Sequence, residues 1–218
     1  EQKNPSLIGM ITSPREQFER IRDNPKILVG LIVITLIALV SALLTLESMS
    51  GALEEELIDF TEDELLIFTL VTQITTVVMA LVIPSAVILI GATVYFIIAK
   101  VANREVSFKQ LFSLFTYVAF ITGIGGLINA LLAYFITGSN PEIPFTSLNI
   151  LFADEGPLGV FLSSIDIFAI WGIILTAIGL QIVAKFSKPL AWGIVIGFNV
   201  LMIFFGTMLA IVGQSLGM

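Results

Sequence analysis

Five long apolar runs separated by short polar stretches dominate the chain. The first extends from Ile27 to Leu46 without a charged residue. The second runs from Leu65 to Ala99, the third from Leu111 to Ile136, the fourth from Leu158 to Ala184 and the fifth from Pro189 to Gly213. Crossing a hydrocarbon core of about 30 Å takes roughly 20 mostly apolar residues in helical geometry, and every run reaches that length. None shows the alternating pattern of outer-membrane barrel strands. The pattern predicts an all-α fold: a polytopic bundle of five transmembrane helices over 27–218, preceded by a polar N-terminal segment over 1–26. At about 1.5 Å per residue the second run overshoots the core, so its outer turns project beyond the membrane or the helix tilts. Pro84 near its middle predicts a kink. Lys185, Phe186, Ser187 and Lys188 alone join the fourth and fifth runs, which forces an antiparallel hairpin, with Pro189 suited to the first turn of the last helix.

Composition agrees with this pattern. The hydrophobic share is 57% and the charged share 12%, against about 25% charged residues in an average soluble domain; the mean hydropathy is +1.03. A soluble enzyme or a nucleic-acid binder is excluded on those grounds. Residues 1–26 are too polar for a cleaved secretory signal, and the run that follows is too long for one. The chain contains no cysteine and no histidine. Disulfides, thiolate nucleophiles, Cys/His metal sites and Ser-His-Asp catalysis are thereby ruled out together. No catalytic residue, metal or cofactor is expected.

The distribution of charge carries more information than the net value of −7. With five crossings, the N-terminal segment and the loops after the second and fourth spans share one side. They hold Lys3, Arg15, Arg20, Arg22, Lys26, Lys100, Arg104, Lys109, Lys185 and Lys188, all ten basic residues. Short loops rich in Lys and Arg stay cytoplasmic. The expected topology in the cell membrane is N-terminus inside and C-terminus outside. On the other side lie Glu47, Glu54, Glu55, Glu56, Asp59, Glu62, Asp63 and Glu64, and then Glu142, Asp154 and Glu155. The first of these clusters, Glu47 to Glu64, reads either as a cation or cationic-peptide site or as a solvated, translocated loop; its spacing matches no calcium-loop pattern.

Two polar segments read as membrane-associated. Ser13, Pro14, Arg15 and Glu16 have the order of a capping box with proline at the first helical position. A helix from Pro14 to about Asp23, lying in the plane of the membrane on its cytoplasmic side, would carry Phe18 and Ile21 on one face to meet the membrane surface, leaving Arg15, Arg20 and Arg22 to meet anionic headgroups. Pro25 then biases Asn24 out of helical geometry. A plain basic flank that sets topology is the other reading of this segment. The loop from Gly138 to Pro157 holds three prolines but also Phe145, Leu148, Ile150, Leu151 and Phe152, which predicts a short helix on the outer interface or capping the bundle.

Within the spans, Asp166 is an ionisable group eight residues into the fourth run, and an intramembrane ionisable residue is by default a functional candidate. Asn129 and Asn199 are possible amide partners. The alternative is an interhelical hydrogen bond that holds the bundle, at about 0.6 kcal/mol. Gly193 with Gly197, and Gly206 with Ala210, repeat a small-x-x-x-small spacing in the fifth span, while Gly123, Gly125 and Gly126 lie in the third. Such faces let helices approach closely, within one chain, in a homo-oligomer or against another protein.

Several stretches resemble the Yip family (Ypt/Rab-interacting proteins), in its bacterial five-span branch. They are Ser13 to Ile21 with Asn24 and Pro25, then Val106 to Gln110 opening the third span, Asp166 to Trp171 in the fourth, and Ser187 with Lys188 before the fifth. The resemblance covers nearly the whole chain and implies a cytosolic N-terminus. It also implies a place beside an ABC-type efflux pump in resistance to a toxic peptide. The long cytosolic region of eukaryotic relatives has no counterpart in these 26 residues, which argues against GTPase binding. The expected function is a non-enzymatic membrane adaptor in the lipid bilayer, bound to another integral membrane protein such as ABC-type transporter components. The alternative is a small channel or transporter for a cation or solute, using Asp166 and the acidic outer loop; no inverted repeat is evident for it.

Overall fold

The computed structural model describes residues 3–56, 60–136 and 143–215, the side chains of 50–56 excepted. The side chains of Glu54, Glu55 and Glu56, and the residues Asp59, Gly138, Pro141 and Glu142, lie outside that description. Among the described residues the regular structure is helical: α1 (Gly9–Thr12), α2 (Pro14–Asp23), α3 (Leu28–Glu56), α4 (Glu62–Val101), α5 (Phe108–Phe135), a 3₁₀ turn (Leu148–Leu151), α6 (Pro157–Ser163), α7 (Ile167–Val183) and α8 (Lys188–Ser215). Of these, α3, α4, α5 and α8 are long and apolar enough to cross a bilayer, and α7 is a shorter apolar helix.

Local chemistry sets the helix starts. Thr61 caps α4 in a reciprocal box with Glu64, and Ser107 caps α5 in the same way with Gln110. The box expected at Ser13 is absent. Ser13 is the N-cap and Pro14 opens α2, but no side-chain cap bond forms. Glu16 instead pairs with Arg20 one turn along, at 2.6 Å, an i,i+4 ion pair that takes the carboxylate away from the cap. As anticipated, α2 ends where Asn24 leaves helical geometry before Pro25.

A larger correction concerns the fourth span, which is not one helix over Leu158 to Ala184. It breaks at Ser164, Ile165 and Asp166 into α6 and α7. The long second run, by contrast, is one helix of 40 residues with Pro84 inside it.

Helix α5 is the centre of the bundle, packed against α3, α4 and α7. Its buried positions include Leu111, Leu114, Tyr117, Ile121 and Gly125. Tyr95 of α4 lies 4.9 Å, ring centre to ring centre, from Phe115 and 5.6 Å from Phe198 of α8, tying three helices together. Helices α7 and α8 form the antiparallel hairpin. Lys185 closes α7 with a φ of 52°, and the Phe186 N–H donates to the Leu180 carbonyl at 3.2 Å. Large apolar side chains on α3, α4 and α8, such as Val29, Val87 and Leu209, stay exposed, as a surface solvated by lipid requires.

A polar cluster at the broken fourth span

The interruption between α6 and α7 leaves backbone N–H groups without helical partners, and in an apolar setting each such group must be satisfied. Asp166 meets that need as the N-cap of α7. Its Oδ1 accepts from the N–H of Phe168 at 2.8 Å and of Ala169 at 3.0 Å. Its Oδ2 accepts from the Thr146 hydroxyl. Thr146 is held in turn by Asn129 of α5: the amide Nδ2 donates to Thr146 Oγ1 at 2.8 Å, and Oδ1 accepts from the Thr146 N–H at 3.1 Å. Residues 146–148 thus fold back beside 165–167. There the Leu148 N–H donates to the Ile165 carbonyl and the Ile167 N–H to the Thr146 carbonyl, bringing Ser147 opposite Asp166 in an isolated antiparallel bridge.

A second knot adjoins the first. Buried Asn149 donates through Nδ2 to the Asp154 carbonyl at 2.9 Å and to Ser163 Oγ at 3.2 Å, while its Oδ1 accepts from the Asp154 N–H at 3.1 Å. Asp154 Oδ1 then accepts from the N–H groups of Gly156 and Gly159 at 2.9 and 2.8 Å. A Cβ at Gly159 would overlap the Asp154 carbonyl oxygen. Apolar side chains ring this polar interior: Leu151 is 75% exposed and Phe152 62%. The described part of the loop holds a 3₁₀ turn at Leu148–Leu151 that packs on the short α6.

Depth follows from length. The 17 residues of α7 span about 25 Å, so Asp166 lies roughly 5 Å short of a complete hydrocarbon core. Every described oxygen of the Asp166–Thr146–Asn129 cluster has a donor within the chain. No group of three metal-ligating acidic side chains occurs among the described residues. As it stands, the arrangement can hold irregular backbone in an apolar environment.

Other sequence-predicted positions fall elsewhere. Asn199 donates at 2.8 Å to the Val195 carbonyl of its own helix and takes no part in the cluster. Phe18 and Ile21 are fully buried, with α2 packed on α7 and α5; a Cβ at Gly179 would come within 3.1 Å of Phe18 Cε1. The apolar face of α2 thus meets protein, which corrects the expectation that these two side chains meet lipid. Arg20 engages Glu16, and Arg22 engages Asp23 at 2.8 Å. Arg22 beside it holds the Asp23 carboxyl below its ordinary range. Arg15 lies on the exposed side of the same helix.

The N-terminal segment is tied to α5 by Tyr117 Oη donating to the Pro5 carbonyl at 3.1 Å, Gln110 Nε2 to Arg22 O at 2.6 Å and Ser113 Oγ to Lys26 O at 2.7 Å. These bonds hold the N-terminal segment at the start of α5, and the packing of α2 on α7 with Arg104 near Phe186 brings the α4–α5 and α7–α8 loops to the same end of the bundle. That end carries all ten basic residues.

The small residues divide. Among the described residues, nothing beyond their own helix backbone lies within 4 Å of a Cβ built at Gly193 or Gly197, whereas Gly206 has Val160 at 3.9 Å, and Ala210 is half-buried. Close helix contacts inside the chain fall instead at Gly125 against Phe168, Gly172 against Thr122 and Gly179 against Leu114. Of these, only Gly125 stood out in the sequence. Thr146, Asn149, Asp154 and Gly159 were also missed as functional positions. The spacing Asp154, Gly156, Gly159 was their one available signal.

Comparison with known proteins agrees with this architecture. The sequence profile of the Yip1 domain matches residues 8–210. The chain is 31% identical over 208 residues to the membrane protein YknW of Bacillus subtilis (strain 168), covering 93% of this chain and 89% of that protein. No solved structure matches it.

Proposed function

The chain belongs to the Yip1 family of membrane proteins, and from that premise we propose that it is a non-enzymatic adaptor in the cell membrane. It holds a second integral membrane protein, an ABC-type efflux pump, and so contributes to resistance against a toxic peptide. The observation that carries the adaptor reading is the face of α8 at Gly193 and Gly197, which nothing in the described chain covers. A close-approach face left open within one chain is suited to a helix from another. The Asp166 cluster supports the same reading, because its carboxylate is engaged as a helix cap and is not displayed toward a pathway. The proposed topology keeps the basic end of the bundle in the cytoplasm.

The test pairs Gly193→Leu with Gly197→Leu in one variant and sets it against Asp166→Asn. Overpacking a tight helix contact costs about 1–3 kcal/mol, so partner recovered from native membranes with the glycine variant should fall by roughly tenfold, and peptide resistance with it. Asp166→Asn should retain both. Solute flux by the wild-type chain alone in proteoliposomes, abolished by Asp166→Asn, would replace the adaptor with a transporter.

A further inference from the structure

Arg104 stands apart from the other basic residues. It follows the end of α4, where Asn103 adopts a φ of 52° and the Arg104 N–H donates to the Ala99 carbonyl at 2.8 Å. Its guanidinium carbon lies 5.9 Å from the centre of the Phe186 ring, within cation–π range. Phe186 belongs to the α7–α8 loop and is itself buried, so the contact joins two loops at the basic end of the bundle. Yet Arg104 Nε is buried without a hydrogen-bond acceptor. Glu105, next in the chain, is exposed. The ion pairs among the described residues are those of Arg20 with Glu16 and Arg22 with Asp23, so no carboxylate neutralises Arg104. A guanidinium presents five donors in a planar fork, and leaving a buried donor unsatisfied is costly. An anion with several acceptor oxygens is the kind of group that matches such a fork.

The surroundings narrow its class. Lys185 in the same loop and Lys188 at the start of α8 flank Phe186 and are exposed, as is Lys100 in the last turn of α4. The Lys100 ammonium folds back over the Phe96 ring at 5.1 Å, a posture that keeps the stem along apolar surface. The apolar side chains adjoining these loops remain exposed: Ile97, Val101 and Leu190. The boundary between apolar belt and basic end therefore passes at the level of Arg104, where a bilayer places its phosphates. Arginine matches phosphate through paired, charge-assisted hydrogen bonds.

We propose that Arg104, braced by Phe186 and flanked by Lys185 and Lys188, binds the phosphate of an anionic phospholipid headgroup at the basic end of the bundle. The site is separate from the open face of α8 and does not depend on the adaptor reading. The acceptor oxygens fill the fork of Arg104, and the lysines favour a headgroup with net negative charge over a zwitterionic one.

The test uses the full chain in nanodiscs of phosphatidylcholine alone and of phosphatidylcholine mixed with phosphatidylglycerol. Lipid retained after release is counted by native mass spectrometry, and the melting temperature is measured in each bilayer. The wild type should retain phosphatidylglycerol in preference to phosphatidylcholine and melt higher when it is present. Arg104→Gln should lower that preference by roughly tenfold, as loss of a charge-assisted pair does, and remove the phosphatidylglycerol-dependent rise. Should that variant fail to fold, the exposed pair Lys185→Gln with Lys188→Gln carries the same test, with a fall of severalfold expected. An unchanged preference in Arg104→Gln, or in the lysine pair if the arginine variant does not fold, overturns the site. An equal rise on adding inorganic phosphate to wild type in phosphatidylcholine discs overturns the lipid assignment.

Discussion

Asp166 shows how one residue changes meaning between sequence and structure. In the sequence it is a carboxylate inside an apolar run; in the fold it is the atom set that allows the run to break. The amide of asparagine is about as good a helix cap as the carboxylate, and it can still pair with the Thr146 hydroxyl. Asp166→Asn is therefore expected to unfold close to wild type, whereas Asp166→Ala should lose about 0.5–2 kcal/mol, read as a lowered melting temperature in detergent. Gly159 is more stringent, because a methyl group there meets backbone and not a movable side chain. Gly159→Ala should cost about 1–3 kcal/mol or more and release the Asn149 amide, measurable as faster backbone exchange over 149–156. A Gly159→Ala chain that melts with the wild type would contradict this packing. Asp166 was visible as a polar position within the run. Its role was not, because a cap is recognised only once the helix start is known.

Among the elements, α2 departs furthest from its sequence reading. Its period was legible: Phe18 and Ile21 fall on one face, and Ser13, Pro14 and Pro25 mark the ends. Which apolar surface that face would meet was not. Lipid and the side of α7 are equally apolar, and amphipathic period alone does not distinguish them. The deciding feature is Gly179, whose missing side chain opens the slot that takes the Phe18 ring. Phe18→Ala should consequently destabilise the folded chain by about 3–5 kcal/mol, seen as a lower midpoint in thermal unfolding and earlier proteolysis near Arg20. A side chain dipping only into lipid would leave the midpoint of the bundle almost unmoved.

For the whole molecule, the ten-to-none division of basic residues predicts the side of the membrane on which each loop lies. The chain has no native cysteine, so single cysteines report without background. Cysteines in place of Glu105 and Ser187 should be shielded from an impermeant maleimide in intact cells, and those in place of Asp63 and Ser215 should be labelled. Labelling of Glu105→Cys together with protection of Asp63→Cys would reverse the topology.

Hydropathy and charge by themselves determined the membrane class, the approximate spans and the unequal loops. Those properties depend on composition summed over about 20 residues, and no partner in space alters the sum. The antiparallel hairpin at Lys185 to Lys188 was determined just as directly, because so short a link leaves no other path. Only the tertiary structure decided that the fourth span divides, that Asn129 reaches Thr146 while Asn199 turns back on its own helix, and that Arg104 lacks an acceptor. Each of these is a pairing between groups far apart in the chain. Hydrogen bonds are directional and act over about 3 Å, so which partner a polar group finds depends on how the helices pack, and not on its spacing along the sequence.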